Sequence, residues 1–296
     1  MSHTTRLRTL LSGTDPVLSP GMYDALTAML IEKKGFDCAY LGGASISYSR
    51  IGRSDIGLMS FGEVAEVVGQ IRERISIPFV VDADTGFGNA LNVKRTVSVL
   101  ERMGASGIQL EDQTMPKRCG HLAGKTLVST AEMVGKIKAA LDARADDNTV
   151  IVARTDAIAV EGFEAACARA EAYLEAGADA LFIEAPQSEN QMSEIGRTLG
   201  SRAPLIANMV EGGKTPMKPA DQLGKMGFKL VIYPGAMIRV LLHAATNYLT
   251  ILKEDGITDR LRDSMFDFDG LNAILGTDEL LADGQRYDEK IVQAAQ

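Results

Sequence analysis

The chain has little cysteine, no concentration of positive charge and no long apolar run, and each shortage closes off a class of function. Three cysteines, Cys38, Cys119 and Cys167, are too few and too scattered for a disulfide framework or a CxxC metal site, and a reducing cytoplasm suits them. Lys and Arg total 31 against 39 Asp and Glu, a net charge of −8 with no block of like sign. Nucleic acid is therefore not expected as a partner, because its phosphates demand clustered cations. No stretch reaches the roughly eighteen apolar residues of a membrane span, and Met1 to Pro20 lacks the apolar core and cleavage site of a secretory leader. The expectation is a protein neither secreted nor membrane-bound. GxGxxG is also absent, which counts against a doubly wound dinucleotide fold.

What is present is a repeat of short apolar runs, each followed by a helix-like stretch, the pattern of βα units around a parallel sheet. Eight runs are found: Val17–Ser19, Cys38–Leu41, Phe79–Asp82, Gly107–Glu111, Val150–Ala153, Ala180–Glu184, Leu205–Asn208 and Leu230–Tyr233. Among the intervening helical stretches are Phe61–Arg74, Ala90–Met103, Thr130–Ala143, Gly162–Ala176 and Met237–Glu254; Gly35, Gly104, Gly177, Gly227 and Gly256 stand where helices should end. With 296 residues and 46% hydrophobic content, eight units predict an α/β fold, a (β/α)8 TIM-type barrel over residues 1–256. Residues 257–296 read as a C-terminal helical extension of the same domain, or one packed on a neighbouring subunit.

In such barrels the active site lies at the C-terminal ends of the strands. Here those ends carry Gly42-Gly43-Ala44, Asp82-Ala83-Asp84, Glu111-Asp112, Arg154-Thr155-Asp156, Glu184 and Asn208. A bland alternative is that the acids cap the helices that follow. Asp82, Asp84 and Glu111 offer oxygen without sulfur or imidazole, which suits a hard cation such as Mg2+; the competing reading is a salt-bridge network with Lys117 and Arg154. The segment Lys117-Arg118-Cys119-Gly120-His121 places two cations and a histidine beside a thiol, an environment that would prepare Cys119 as an acid or nucleophile. Gly120 and Gly124 suggest a mobile lid. Cys38 and Cys167 read as inert core residues, and His3 as part of a loose terminus.

The motifs VDADTGFGNALNV (81–93), QLEDQTMPKRCGH (109–121), ARTDA (153–157), FIEAP (182–186) and ANMVEGGKTP (207–216) resemble the isocitrate lyase/phosphoenolpyruvate mutase superfamily, in its branch of methylisocitrate lyases, 2,3-dimethylmalate lyases and carboxyphosphonoenolpyruvate mutases. The resemblance implies Asp82 as a direct magnesium ligand, with Asp84 beside it and Asp55 and Glu111 holding waters. It implies that Gly42, Gly43 and Ala44 receive the substrate carboxylate, that Arg154 clamps it, and that Gly120, Glu184 and Asn208 complete the pocket. Arg239 corresponds to an arginine for a distal carboxylate. Cys119 resembles a lyase proton donor on a gating loop, with Lys117 and His121 tuning it. A homotetramer with exchanged C-terminal helices is implied as well. The activity expected is cleavage of a substituted malate to a 2-oxo acid, with phosphorus–carbon mutase or oxaloacetate decarboxylase/hydrolase chemistry, and a non-catalytic acid sensor, as alternatives. Two positions depart from the pattern: Gly42 replaces a common serine, and Phe268 stands where methylisocitrate lyases carry a second arginine.

Overall fold

In the computed structural model, which describes residues 1–120 and 122–287, eight parallel strands close into one barrel in chain order. They are β1 (Val17–Met22), β2 (Ala39–Leu41), β3 (Phe79–Asp82), β4 (Gly107–Glu111), β5 (Val150–Thr155), β6 (Ala180–Ile183), β7 (Leu205–Asn208) and β8 (Phe228–Tyr233). β8 lies beside β1 from Val17↔Leu230 to Pro20↔Tyr233, which completes the ring. Each of the eight apolar runs is a strand. β5 outruns its apolar run because Arg154 and Thr155 find ladder partners in Glu111 and Ile183, so pairing overrides polarity there.

The helices are α1 (His3–Ser12), α2 (Ala25–Lys33), α3 (Gly43–Ile51), α4 (Phe61–Arg72), α5 (Ala90–Arg102), α6 (Thr130–Ala143), α7 (Phe163–Glu175), α8 (Glu189–Leu199), α9 (Ala220–Lys225), α10 (Ala236–Asp255), α11 (Phe268–Leu275) and α12 (Thr277–Gln285). Their N-caps are Asp24, Ser60, Asn89, Ser129 and Ser188 for α2, α4, α5, α6 and α8, each accepting from an N–H of the first turn. The five glycines expected at helix ends all adopt positive φ. Asp24 is the one acid among them; Asp82, Asp84, Glu111, Asp112, Asp156 and Glu184 cap none of these five helices, so the bland reading fails for the rim acids and their charge is left for other work.

Two apolar layers hold the barrel. Outward strand residues such as Phe79, Val81, Ile108, Leu110 and Ile151 pack under the helices. Inward residues, among them Tyr40, Val80, Val152, Phe182 and Ile232, fill the lumen together with Leu7 and Leu11 of α1. α1 therefore plugs the N-terminal end of the barrel. This corrects the expectation of a loose terminus: His3 opens the helix, its Nδ1 lies 3.0 Å from Ser106 Oγ, and Thr4 donates to Asp146 at 2.6 Å. The chain divides into compact units at Arg239/Val240, upstream of the Gly256 boundary expected from the sequence. The second unit contains the rest of α10, a 3-10 turn (Asp259–Ser264), α11 and α12, and leaves Leu242, Leu249, Phe266 and Leu280 exposed. Among the described residues no helix is long and apolar enough to cross a membrane.

Candidate active site

Successive strand residues face opposite sides of a sheet, so inward positions recur every second residue. Val80 points into the lumen, and two residues later Asp82 does so at the mouth. Val152 leads in the same way to Arg154, Phe182 to Glu184, and Ile206 to Asn208. On β4 the outward residues Ile108 and Leu110 leave Gln109 and Glu111 inward. One periodicity thus gathers five polar side chains from five strands at the C-terminal rim. Backbone strain collects there too: Asp84 and Ala185, immediately past β3 and Glu184, hold φ of 48° and 57°.

The acids form two linked groups. In the first, the buried ammonium of Lys117 sits between Asp55 and Asp84, at 2.5 and 2.7 Å. Asp82 accepts the Asp84 N–H at 3.1 Å. Burial, offset by Lys117 and reinforced by Asp82 and Asp55, pushes Asp84 up to about 7. Burial opposes the charge on Lys117, but Asp84, Glu111, Asp55 and Asp82 outweigh it and raise its pKa well above the ordinary range. In the second group, Arg154 reaches Glu111 at 3.3 Å, Asp156 at 2.9 Å and Glu184 at 3.4 Å. Burial pushes the Glu111 carboxyl well above its usual value against the pull of Arg154. Asn208 donates to Glu184 at 3.2 Å. Among the described residues, no three acids converge into a ready-made coordination shell; Lys117 bridges Asp55 and Asp84.

Beside these groups α3 begins at Gly42 with no side-chain cap. The first-turn N–H groups of a helix have no intrahelical acceptor and attract anions. The Gly42–Ala44 turn, Arg154, Asp82, Cys119 and Asn208 all line one cavity of about 130 Å³. A Cβ on Gly43 would come within 3.1 Å of Asp84 Oδ1, so the helix start rests directly on the acids. The loop after β4 roofs the cavity. A Cβ on Gly120 would lie 2.6 Å from an Arg154 nitrogen and 2.7 Å from Glu184, and only glycine lets the loop settle this close. The Cys119 N–H donates to the Asp55 carbonyl at 3.1 Å. A larger groove of about 720 Å³ opens at the opposite end around α1, but its cations are already engaged: Arg8 with Asp179, Arg202 with Glu171, and Lys229 with the Asp15 carbonyl. Convergent polar groups, not size, mark the smaller cavity as the candidate site.

Residues 7–252 match the phosphoenolpyruvate phosphomutase family. The chain belongs to it. It is similar to a 2,3-dimethylmalate lyase of Eubacterium barkeri, 44% identical over 280 residues that cover 95% of this chain and 96% of the relative. It is similar also to a 2-methylisocitrate lyase of Aeropyrum pernix, 47% identical over 260 residues, covering 88% and 83%. Among solved structures, a 2,3-dimethylmalate lyase superposes with a TM-score of 0.91 at 35% identity over 97% of this chain and 96% of that one. A phosphonopyruvate hydrolase with oxalate and Mg2+ superposes with 0.87 at 30% identity over 97% and 99%. The chain is thus an enzyme of the isocitrate lyase/phosphoenolpyruvate mutase superfamily, with relatives named lyases.

For this member of the phosphoenolpyruvate phosphomutase family, the structure brings together Gly42, Gly43, Ala44, Asp55, Asp82, Cys119, Gly120, Arg154, Glu184, Asn208 and Arg239 around the cavity; Glu111 and Asp84 stand behind Arg154 and Lys117. The salt-bridge network weighed against a metal is present. Lys117 spends its ammonium on Asp55 and Asp84, so its contact is with the acids. Arg239, at the cavity's edge, donates to Glu211 at 3.1 Å and is half exposed. His121 lies outside the described residues. Cys38 is fully buried and pushed up to about 12, and burial raises Cys167 to about 11. Sequence reasoning missed Tyr48, one turn into α3, which lines the cavity. Lys125 and the role of Asp156 in holding Arg154 were also missed. Asp156 was visible as part of ARTDA, but a lysine in a glycine-rich loop carries no signal until its burial is known.

Proposed function

We propose that this enzyme is a magnesium-dependent carbon–carbon lyase that cleaves a substituted malate, of the 2,3-dimethylmalate or methylisocitrate type, into a 2-oxo acid such as pyruvate and a carboxylic acid. One observation carries it: Cys119 lines the same small cavity as Arg154 and the uncapped start of α3. A carboxylate grip and a proton source thus share a space of substrate size. The relatives named above support the reaction class.

The acids at the mouth fit a hard divalent cation. Four carboxylates, on Asp55, Asp82, Asp84 and Glu111, face two cations, Lys117 and Arg154, and Glu111 Oε1 is buried with no hydrogen-bond partner. Asp82 and Asp84 would hold the ion, with Asp55 and Glu111 reaching it through water, in keeping with the few protein ligands Mg2+ takes. When bound, it supplies Lewis-acid stabilisation of charge developing at the 2-oxygen. The α3 N–H groups and Arg154 orient the substrate carboxylate. A base takes the hydroxyl proton as the C2 carbonyl forms, the C2–C3 bond breaks, and its electron pair passes to C3, which becomes the α-carbon of the departing acid. Cys119 donates a proton to that carbon, and the loop over the cavity keeps water from competing.

Alkylmalates are the proposed preference on the resemblance alone, which expects a second arginine where this chain has Phe268, an exposed residue of the second compact unit. A carboxylate denied its charged partner loses about 2–3 kcal/mol, or roughly 30- to 150-fold in affinity. Assembly into a cytoplasmic homotetramer through the exposed apolar residues beyond Val240 accords with the same reading. The deciding experiment screens malates, citrates and phosphonates for 2-oxo acid release by the wild type and by Cys119→Ser. The variant is expected to lose about 10²- to 10⁴-fold in kcat while binding oxalate normally. Near-normal turnover by Cys119→Ser would favour the hydrolase or mutase alternative.

A further inference from the structure

We infer that Lys125 is a positioning residue that fastens the loop carrying Cys119 to the arginine that grips the substrate, an inference that rests on the lyase reading above. Lys125 lies among exposed loop residues, Leu122 to Gly124 before it and Thr126 after it, yet its own side chain is 1% exposed. Burying an ammonium costs several kcal/mol unless it is paired, so a lysine drawn inward from a polar loop needs strong partners. It has two. Its Nζ donates to the carbonyl of Gly120, the residue that roofs Arg154 and Glu184, and to Asp156 Oδ1 at 3.1 Å.

Asp156 is itself fully buried and holds Arg154 with both oxygens, Nε at 2.9 Å and an Nη at 3.1 Å. Its place is set from below. Asp112 accepts the Asp156 N–H at 3.0 Å, Thr155 Oγ1 at 2.7 Å and the Tyr173 hydroxyl at 2.8 Å, tying β5 to α7. One carboxylate therefore fixes the substrate-binding arginine and, through Lys125, the loop residue next to the proton donor. Among the described residues, the loop is also tied at its leading half by Lys117 to Asp55 and Asp84 and by the Cys119 N–H to the Asp55 carbonyl, and at its far end by Arg169 of α7 to the Val128 carbonyl. The bonds between Gln113 and Arg118 and between Thr114 and Thr126 join the loop only to itself or its stem. Lys125 secures the stretch between these ties, just past Gly120.

The test compares the full-length wild type with Lys125→Met in two measurements: kcat for 2,3-dimethylmalate with the inhibition constant of oxalate, and tryptic cleavage after the exposed Arg118 with Mg2+ and oxalate present. A loosened proton donor is expected to lower kcat about 10²-fold, with oxalate inhibition changed less than about threefold, since Arg154 and the α3 turn remain. Cleavage after Arg118 is expected to quicken about tenfold or more as the loop opens. If Lys125→Met does not fold, Lys125→Gln, which keeps one donor, is read in the same way. Unchanged kcat and unchanged cleavage overturn the inference, as does a parallel loss of turnover and oxalate binding, which would mean a collapsed cavity. If the wild type releases no 2-oxo acid, the lyase reading fails, while the cleavage measurement still decides whether Lys125 holds the loop.

Discussion

The two ends of the barrel are built on opposite principles. At the N-terminal end, α1 inserts Leu7 and Leu11 beneath the lumen, His3 and Ser106 join at 3.0 Å, and Arg8 is shared between Asp179 and the carbonyls of Asp147 and Asn148. At the C-terminal end Asp55, Asp82, Asp84 and Glu111 crowd around two cations; Asp84 is held up to about 7, and Glu111 Oε1 and Asn208 Oδ1 are buried without hydrogen-bond partners. Burying like charges together opposes folding, and such groups persist where they act on a ligand. One end stabilises the ring, and the other holds polar groups in readiness.

The contrast breaks most sharply at Asp82. Asp82→Ala is expected to lower kcat by about 10³-fold or more through loss of the cation's anchor, and excess chelator should inactivate the wild type reversibly. Asp82 pushes Asp84 and Glu111 upward but also helps to hold Lys117 and Arg154 charged, so its removal relieves repulsion and forfeits attraction together, and Tm in the absence of metal should change little. Calorimetry beside steady-state kinetics checks both, and full activity in chelator would contradict the assignment. Leu7→Ala reverses the pattern. Deleting this fully buried side chain should cost about 2–5 kcal/mol of stability while kcat at a permissive temperature stays near the wild-type value; urea unfolding and turnover measured together would show it. Gly120→Ala sharpens the comparison from the loop side. Its Cβ would meet Arg154 and Glu184 at 2.6–2.7 Å, displacing the loop by a fraction of its length and lowering kcat about 10²-fold with unchanged Tm. A Gly120→Ala enzyme of normal rate would show that the loop's close seat on Arg154 is dispensable.

The strand count, the helix ends at glycine and the residue types at the rim were legible from the chain alone, because apolar runs, turn residues and strand-end charges are local signals. The five motifs named the superfamily for the same reason, each being a short contiguous string. Three things were not legible. α1 reads as a short polar segment, with Leu7 and Leu11 its buried apolar residues, and its worth appears only when an open barrel end is there to receive it. The helix-cap reading of the strand-end acids could be rejected only once Ser60, Asn89, Ser129 and Ser188 were seen to fill those places. Lys125 and Asp156 lie thirty-one residues apart in the chain and meet only through the folding of the loop after β4 against β5. Local pattern therefore determined which elements form and what chemistry they carry. Which cation pairs with which acid, and which polar atoms go without a partner, was decided by the closed ring, since desolvation and charge pairing depend on neighbours that only the tertiary fold supplies.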